Sequence, residues 1–198
     1  GTVSAIGTLT GDRVLQAKGR DYSLAELLAG NRAWTERFAN GQFATIYLAP
    51  YNYHRIHMPC DGELREAWFV PGRLFSVNRV AIGRIANVFT RNERVICLFD
   101  GTHGPFGLVL VGALNVGSIE TVWHGGIAPR RGRCAQRLPS APLRAPALLH
   151  KGAELGRFNL GSTVIVLFPP RRCRWRAGLQ PGSALRMGAA IGDLDMQS

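Results

Sequence analysis

Residues 161–168 read Gly-Ser-Thr-Val-Ile-Val-Leu-Phe: a small polar triplet opening into an unbroken β-branched, apolar run. A run of that length and composition, with turn residues at its mouth, reads as a buried strand and commits the chain to a β core. Short β-branched or alternating segments recur at 13–18, 43–49, 63–70, 94–100, 106–115, 119–124 and 184–189, each with Gly, Pro, Asn or Asp nearby. Two short helices are predicted among them. Ser23-Leu24-Ala25-Glu26 is a capping box ahead of Leu27 and Leu28, and Gly30 stops that helix. Asn31 caps a second helix through Trp34 and Phe38, which Asn40-Gly41 ends. The predicted fold is mainly β (α+β): a single β-rich sandwich or open barrel with a few short helices. The stretch 129–150, with Pro129, Pro139, Pro142, Pro146 and several arginines, reads as an exposed loop.

The 198 residues fit a single domain with a real core, 1–198. Hydrophobic content of 46% against 19% charged argues against disorder and against a coiled coil. No run of eighteen apolar residues is present, so no spanning helix is predicted. Residues 1–7 lack a basic region and a long apolar stretch, which argues against a signal peptide. Cys60, Cys97, Cys134 and Cys173 are widely spaced without a C-x-x-C pair, so free thiols are expected and no metal site is predicted. The formal charge of +11 fits an anionic lipid surface, a nucleic acid, or an arginine-rich but ordinary surface. Clusters at Arg130-Arg131-Gly132-Arg133 and Arg171-Arg172-Cys173-Arg174-Trp175-Arg176 would draw the protein to an acidic bilayer. No helix-turn-helix, zinc-finger or RNA-stacking pattern accompanies them, and no nucleic-acid partner is predicted.

The Gly161-Ser162 pair carries a chemical option. A serine hydroxyl is a weak nucleophile unless a base and the backbone help it, and a preceding glycine leaves its carbonyl open to close approach. Attack of Ser162 Oγ on the Gly161 carbonyl carbon would turn the amide into an ester. Elimination of that ester would cut the chain and leave a pyruvoyl group at position 162. A tight turn entering a core strand is the plainer reading of a bare Gly-Ser-Thr. His54 and His57 lie three apart, on opposite faces of a strand or one face of a helical turn. Either is a hydrogen-bonded structural residue or a proton carrier near neutrality.

The surroundings resemble a known family. Lys151-Gly152-x-Glu154-x-Gly156-x-Phe158 leads into Leu160-Gly161-Ser162-Thr163, and Tyr53-His54-Arg55-Ile56-His57 lies upstream. Pro71-Gly72-x-Leu74-Phe75-Ser76-Val77-Asn78, Phe89-x-Arg91-Asn92-Glu93-Arg94-Val95, Val111-Gly112-Ala113, Val116-Gly117-Ser118-Ile119 and Leu185-Arg186-Met187-Gly188 follow the same pattern. In this order the blocks are similar to the bacterial, pyruvoyl-dependent phosphatidylserine decarboxylases. The resemblance implies cleavage between Gly161 and Ser162 into chains 1–161 and 162–198, the second blocked by a pyruvoyl cofactor derived from Ser162. It implies His57 as the base for Ser162 during cleavage, and His54 as the group handling the proton at the substrate Cα. The implied reaction converts phosphatidylserine to phosphatidylethanolamine and CO2 through a Schiff base.

Further expectations follow from the resemblance. The implied setting is the cytoplasmic face of a bacterial membrane, bound peripherally, as a homodimer of processed protomers. In this family a short Asp-Gly-x-Val motif completes the serine and histidine, and Gly1-Thr2-Val3 looks like its end. The aspartate would then be the residue before position 1, and a chain without it is expected to process slowly or not at all, because His57 loses the group that fixes its tautomer. Asp61 and Glu63 are the nearest carboxylates in sequence that could substitute. Two alternatives remain: an unprocessed, inactive β-module of the same fold, and a decarboxylase of a soluble amino acid.

Overall fold

The computed structural model describes residues 1–17, 19–114, 119–127, 134–139, 148–159 and 161–194. The arginines 130–133, the Val116-Gly117-Ser118 block, Leu160 and most of the proline-rich stretch lie outside them. The first third holds β1 (Thr2–Thr8), β2 (Arg13–Ala17), β3 (Arg20–Ser23), α1 (Leu24–Leu27), α2 (Arg32–Phe38), β4 (Gln42–Leu48), β5 (Arg55–His57) and β6 (Gly62–Val70). Next come α3 (Arg79–Arg84), α4 (Val88–Arg91), β7 (Arg94–Gly101), β8 (Gly104–Val111), β9 (Ile119–Thr121), β10 (Gly125–Ile127), β11 (Gln136–Arg137) and β12 (Leu148–Leu149). The last part adds β13 (Glu154–Phe158), β14 (Ser162–Phe168), β15 (Cys173–Trp175) and β16 (Gly192–Leu194).

The long strands form one antiparallel sheet in the order β1-β4-β14-β8-β7-β6-β11, with β12 also on β6. The apolar run is β14, paired on both sides and buried along its whole length. That explains why it lacks the alternation of a half-solvated strand. A smaller antiparallel sheet runs β10-β9-β13-β5. The fold is mainly β with short helices, as the sequence predicts.

Both predicted helices form with the expected caps. Ser23 Oγ accepts the Glu26 N–H at 3.3 Å, and Asn31 Oδ1 accepts the Trp34 N–H at 3.3 Å. Two more helices, α3 and α4, were hidden by their shortness. Asn78 caps the first through its Oδ1 and the Ala81 N–H, while Asn87 at φ +57 opens the second. Arg94 ties this layer to the sheet: its buried guanidinium donates to the carbonyls of Glu26, Leu27, Thr90 and Asn92. Burial pulls its pKa down to about 10.

Three predicted strands differ. Residues 184–189 are not a strand; Ala184 only bridges Thr2, and Gly188 turns the chain at φ +83. The 119–124 segment breaks into the β9–β10 hairpin, where Gly125 takes φ +77. The 106–115 strand ends at Val111. β1, β3, β5, β13, β15 and β16 are unforeseen, since each is short or glycine-punctuated and takes its conformation from its partner; so are β11 and β12, which pair with β6 inside the predicted exposed loop 129–150, where Leu138 is buried.

Candidate active site

The two sheets meet at a corner built from two chain crossings. β4 leaves the large sheet at Leu48 and the chain joins the small sheet at Arg55; β13 leaves the small sheet at Phe158 and the chain returns at Ser162. Because β4 pairs with β14 and β5 pairs with β13, the crossings run antiparallel side by side. Ser162 stands opposite Leu48 at one end, and the Phe158 N–H donates to the His54 carbonyl at 3.0 Å at the other. Fold topology thus brings the Tyr53–His57 segment beside the Phe158–Ser162 segment across a hundred residues of sequence.

Ser162 is fully buried, and its Oγ has no hydrogen-bond partner among the described residues. An unpartnered buried hydroxyl costs free energy, about 1–3 kcal/mol, and calls for a reason. Gly161 is packed closely: a Cβ there would come within 3.3 Å of the Leu48 carbonyl oxygen and of Pro50 Cδ. A bare glycine therefore suits the position before the serine on packing grounds as well.

Both histidines are anchored through Nδ1 to a backbone carbonyl. His57 Nδ1 lies 2.8 Å from the Gly152 oxygen, and His54 Nδ1 lies 2.5 Å from the Asn52 oxygen. A carbonyl can only accept, so in each neutral ring the proton belongs on Nδ1 and the lone pair on Nε2. His57 Nε2 accepts the Tyr53 O–H at 2.9 Å, and the two rings stack with centroids 5.7 Å apart. His54 Nε2 is buried without a partner among the described residues.

The tautomer that the sequence assigned to an upstream aspartate is here held by the Gly152 carbonyl. Neither histidine has a hydrogen bond to Ser162, and the Tyr53 hydroxyl occupies the His57 nitrogen that would take its proton. The two nearby carboxylates do not substitute. Asp61 accepts the Lys151 N–H at 2.6 Å, and Glu63 pairs with Arg65 at 2.6 Å. Arg55 pairs with Glu154 across β5 and β13, and Arg157 pairs with Glu120 across β13 and β9, so both stitch the small sheet together. Cys60, Cys97 and Cys173 are buried and Cys134 is exposed, with no disulfide among them. Burial pushes the Cys60 thiol up to about 12, which leaves it unreactive.

Sequence reading missed two parts of the corner. The Gly152 carbonyl was visible only as part of a motif, and Glu93 only as one letter of Asn92-Glu93-Arg94. That triplet of polar residues ahead of an apolar strand is the signal that could have found it. All three are buried.

Comparisons with known proteins find relatives over nearly the whole chain. The phosphatidylserine decarboxylase family model matches residues 1–193. The phosphatidylserine decarboxylase proenzyme of Methylococcus capsulatus (strain ATCC 33009 / NCIMB 11132 / Bath) is 50% identical over 194 residues, covering 97% of this chain and 66% of the relative. The proenzymes of Pseudomonas putida (strain GB-1) and Yersinia enterocolitica serotype O:8 / biotype 1B are 51% and 52% identical, each over 98% of this chain and 67% of the relative. The chain thus spans about two thirds of the length of these curated relatives. With half its residues shared over nearly its whole length, and a family match running from its first residue to residue 193, the chain belongs to the phosphatidylserine decarboxylase family.

Proposed function

We propose that this chain is a self-processing decarboxylase: it cuts itself between Gly161 and Ser162, and with the resulting pyruvoyl group it converts phosphatidylserine to phosphatidylethanolamine and CO2. The observation that carries the reading is the buried, unpartnered Ser162 hydroxyl beside a bare glycine, at the corner that also holds both histidines. The site fits the group, because the Ser162 hydroxyl from which it derives is buried and no hydrogen bond among the described residues holds it. When present, the carbonyl at position 162 supplies an electron sink for the charge left by CO2 loss.

The chain's own residues divide the work. His57 takes the Ser162 proton through Nε2, after the Tyr53 hydroxyl turns away from it. Ser162 Oγ attacks the Gly161 carbonyl carbon, and the released amide nitrogen takes the proton back from His57. Elimination of the ester then separates 1–161 from 162–198 and leaves a dehydroalanine at position 162, whose enamine tautomerises to an imine that water hydrolyses, releasing ammonia and leaving the pyruvoyl carbonyl. The second chain stays in place because β14 is paired to β4 and β8 and buried throughout. His54, with a buried Nε2 lone pair, handles the proton at the substrate Cα. An aspartate ahead of Gly1 would assist His57. Gly1 packs against Leu48, and one further residue in the β1–β4 register falls beside Ala49, at the same corner.

Arg171, Arg174 and Arg176 are exposed around β15 and supply positive charge for an anionic lipid surface. No helix among the described residues is long and apolar enough to cross a membrane. The test is CO2 release from phosphatidylserine vesicles, measured beside free serine and free tryptophan. Release from vesicles alone is expected; release from a free amino acid alone would replace the lipid substrate, and no release from any would favour the inactive β-module.

A further inference from the structure

The strand register places a carboxyl on the serine's own row. Arg94 pairs with Val111, and Val111 pairs with Thr163. One step along, the Gly112 N–H donates to the Glu93 carbonyl at 2.9 Å, and Ser162 pairs with Leu48. The row therefore runs Glu93, Gly112, Ser162, Leu48. Directly opposed residues project to the same face of a sheet, so Glu93 and Ser162 share a face, separated by one residue that has no side chain. Glu93 fills that gap: a Cβ on Gly112 would come within 3.1 Å of its Cγ and 3.3 Å of its Oε1.

Its neighbours in sequence differ from it. Asn92 is buried with both ends of its amide engaged, to Phe75 and Gly112, and Arg94 is buried against four carbonyls. Glu93 is only 5% exposed, and its carboxyl makes no hydrogen bond or ion pair among the described residues. Burial pushes it above the usual carboxylate range, toward the neutral acid. A nearly buried acid that shares a sheet face with a buried, unpartnered hydroxyl is an arrangement that packing alone does not require.

We propose that Glu93 is a further catalytic residue of self-cleavage: in its protonated form its carboxyl donates a hydrogen bond to Oγ of residue 162 as that oxygen leaves. The assignment rests on the ester route given above. In the elimination His57 takes the Cα proton of residue 162, and the C–H electron pair forms the Cα=Cβ bond. The Cβ–Oγ bond breaks with its electron pair on Oγ, which becomes one oxygen of the new Gly161 carboxylate. Glu93 keeps its proton, and its O–H stabilises the charge appearing on that oxygen.

Glu93→Ala and Gly112→Ala test this, in the chain as written and in the same chain extended by an aspartate ahead of Gly1. The second variant leaves Glu93 in place but pushes its carboxyl off the row. Processing is followed by intact mass with and without hydroxylamine, which cleaves an ester and spares an amide. Glu93→Ala should form the blocked 162–198 fragment about a hundredfold more slowly. It should also accumulate a full-length species that hydroxylamine splits at 161–162 to leave a serine N-terminus. Gly112→Ala should slow the same step, and Glu93→Gln, whose amide still donates, should recover part of the loss. Parental rates in Glu93→Ala and Gly112→Ala would overturn the assignment, as would slow variants that hydroxylamine leaves whole. A parent chain that never cleaves, like Ser162→Ala, would instead overturn the proposed function itself.

Discussion

His57 is held at both ring nitrogens, by the Gly152 carbonyl and the Tyr53 hydroxyl. The first contact fixes a tautomer that can accept a proton at Nε2; the second must open before it does. His57→Ala should therefore slow self-cleavage by about 10²–10⁴. Tyr53→Phe keeps the stacked ring and frees Nε2, so it should cleave no more slowly than the parent. A time course of fragment formation separates the two, and a Tyr53→Phe as slow as His57→Ala would put the phenol in the proton path. His54→Ala should cleave normally and fail at decarboxylation, read by mass on one side and CO2 release on the other.

The corner depends on elements whose positions are set by close backbone approach. A Cβ on Gly156 in β13 would lie 2.2 Å from the Glu120 carbonyl oxygen of β9, a backbone atom that cannot swing away. Gly156→Ala should cost at least about 1–3 kcal/mol in a denaturant melt and should impair cleavage together with stability. Glu66 links α2 to β6 by accepting from Asn31 Nδ2, Trp34 Nε1 and Trp68 Nε1. Burial pushes its carboxyl up, but the three donors outweigh that and hold it below its ordinary 4.5. A depressed carboxyl stabilises the fold above that value and loses its contribution as pH falls through the lower, folded value. Thermal melts of Glu66→Gln should accordingly show less acid-side loss than the parent between pH 5 and the acid limit; identical slopes would remove Glu66 from the acid response. Elements of this kind were unevenly legible. β14 and the capped helices declare themselves through a long apolar run and through Ser23 and Asn31. β5 and β13 have no such local signal, because three and five residues rich in charge and glycine become strands only by pairing with their neighbours in the small sheet.

At the scale of the whole molecule, charge and connectivity decide what the fold can do. The excess of +11 predicts binding to anionic vesicles that weakens as salt rises, and little binding to neutral ones; sedimentation with vesicles at two ionic strengths checks it. The proposed site was legible in the sequence as residue types, Gly161, Ser162, His54 and His57, but not as an arrangement. The side-by-side crossings, the Gly152 anchor and the Glu93 row come from strand register, which no local spacing encodes. The measurement that tests the central claim most directly is the intact mass of the denatured chain, with and without an aspartate ahead of Gly1. The account predicts fragments 1–161 and 162–198, the second without a free amine, forming faster in the extended chain and absent from Ser162→Ala. A chain that stays whole in both forms, or cuts elsewhere, would contradict it.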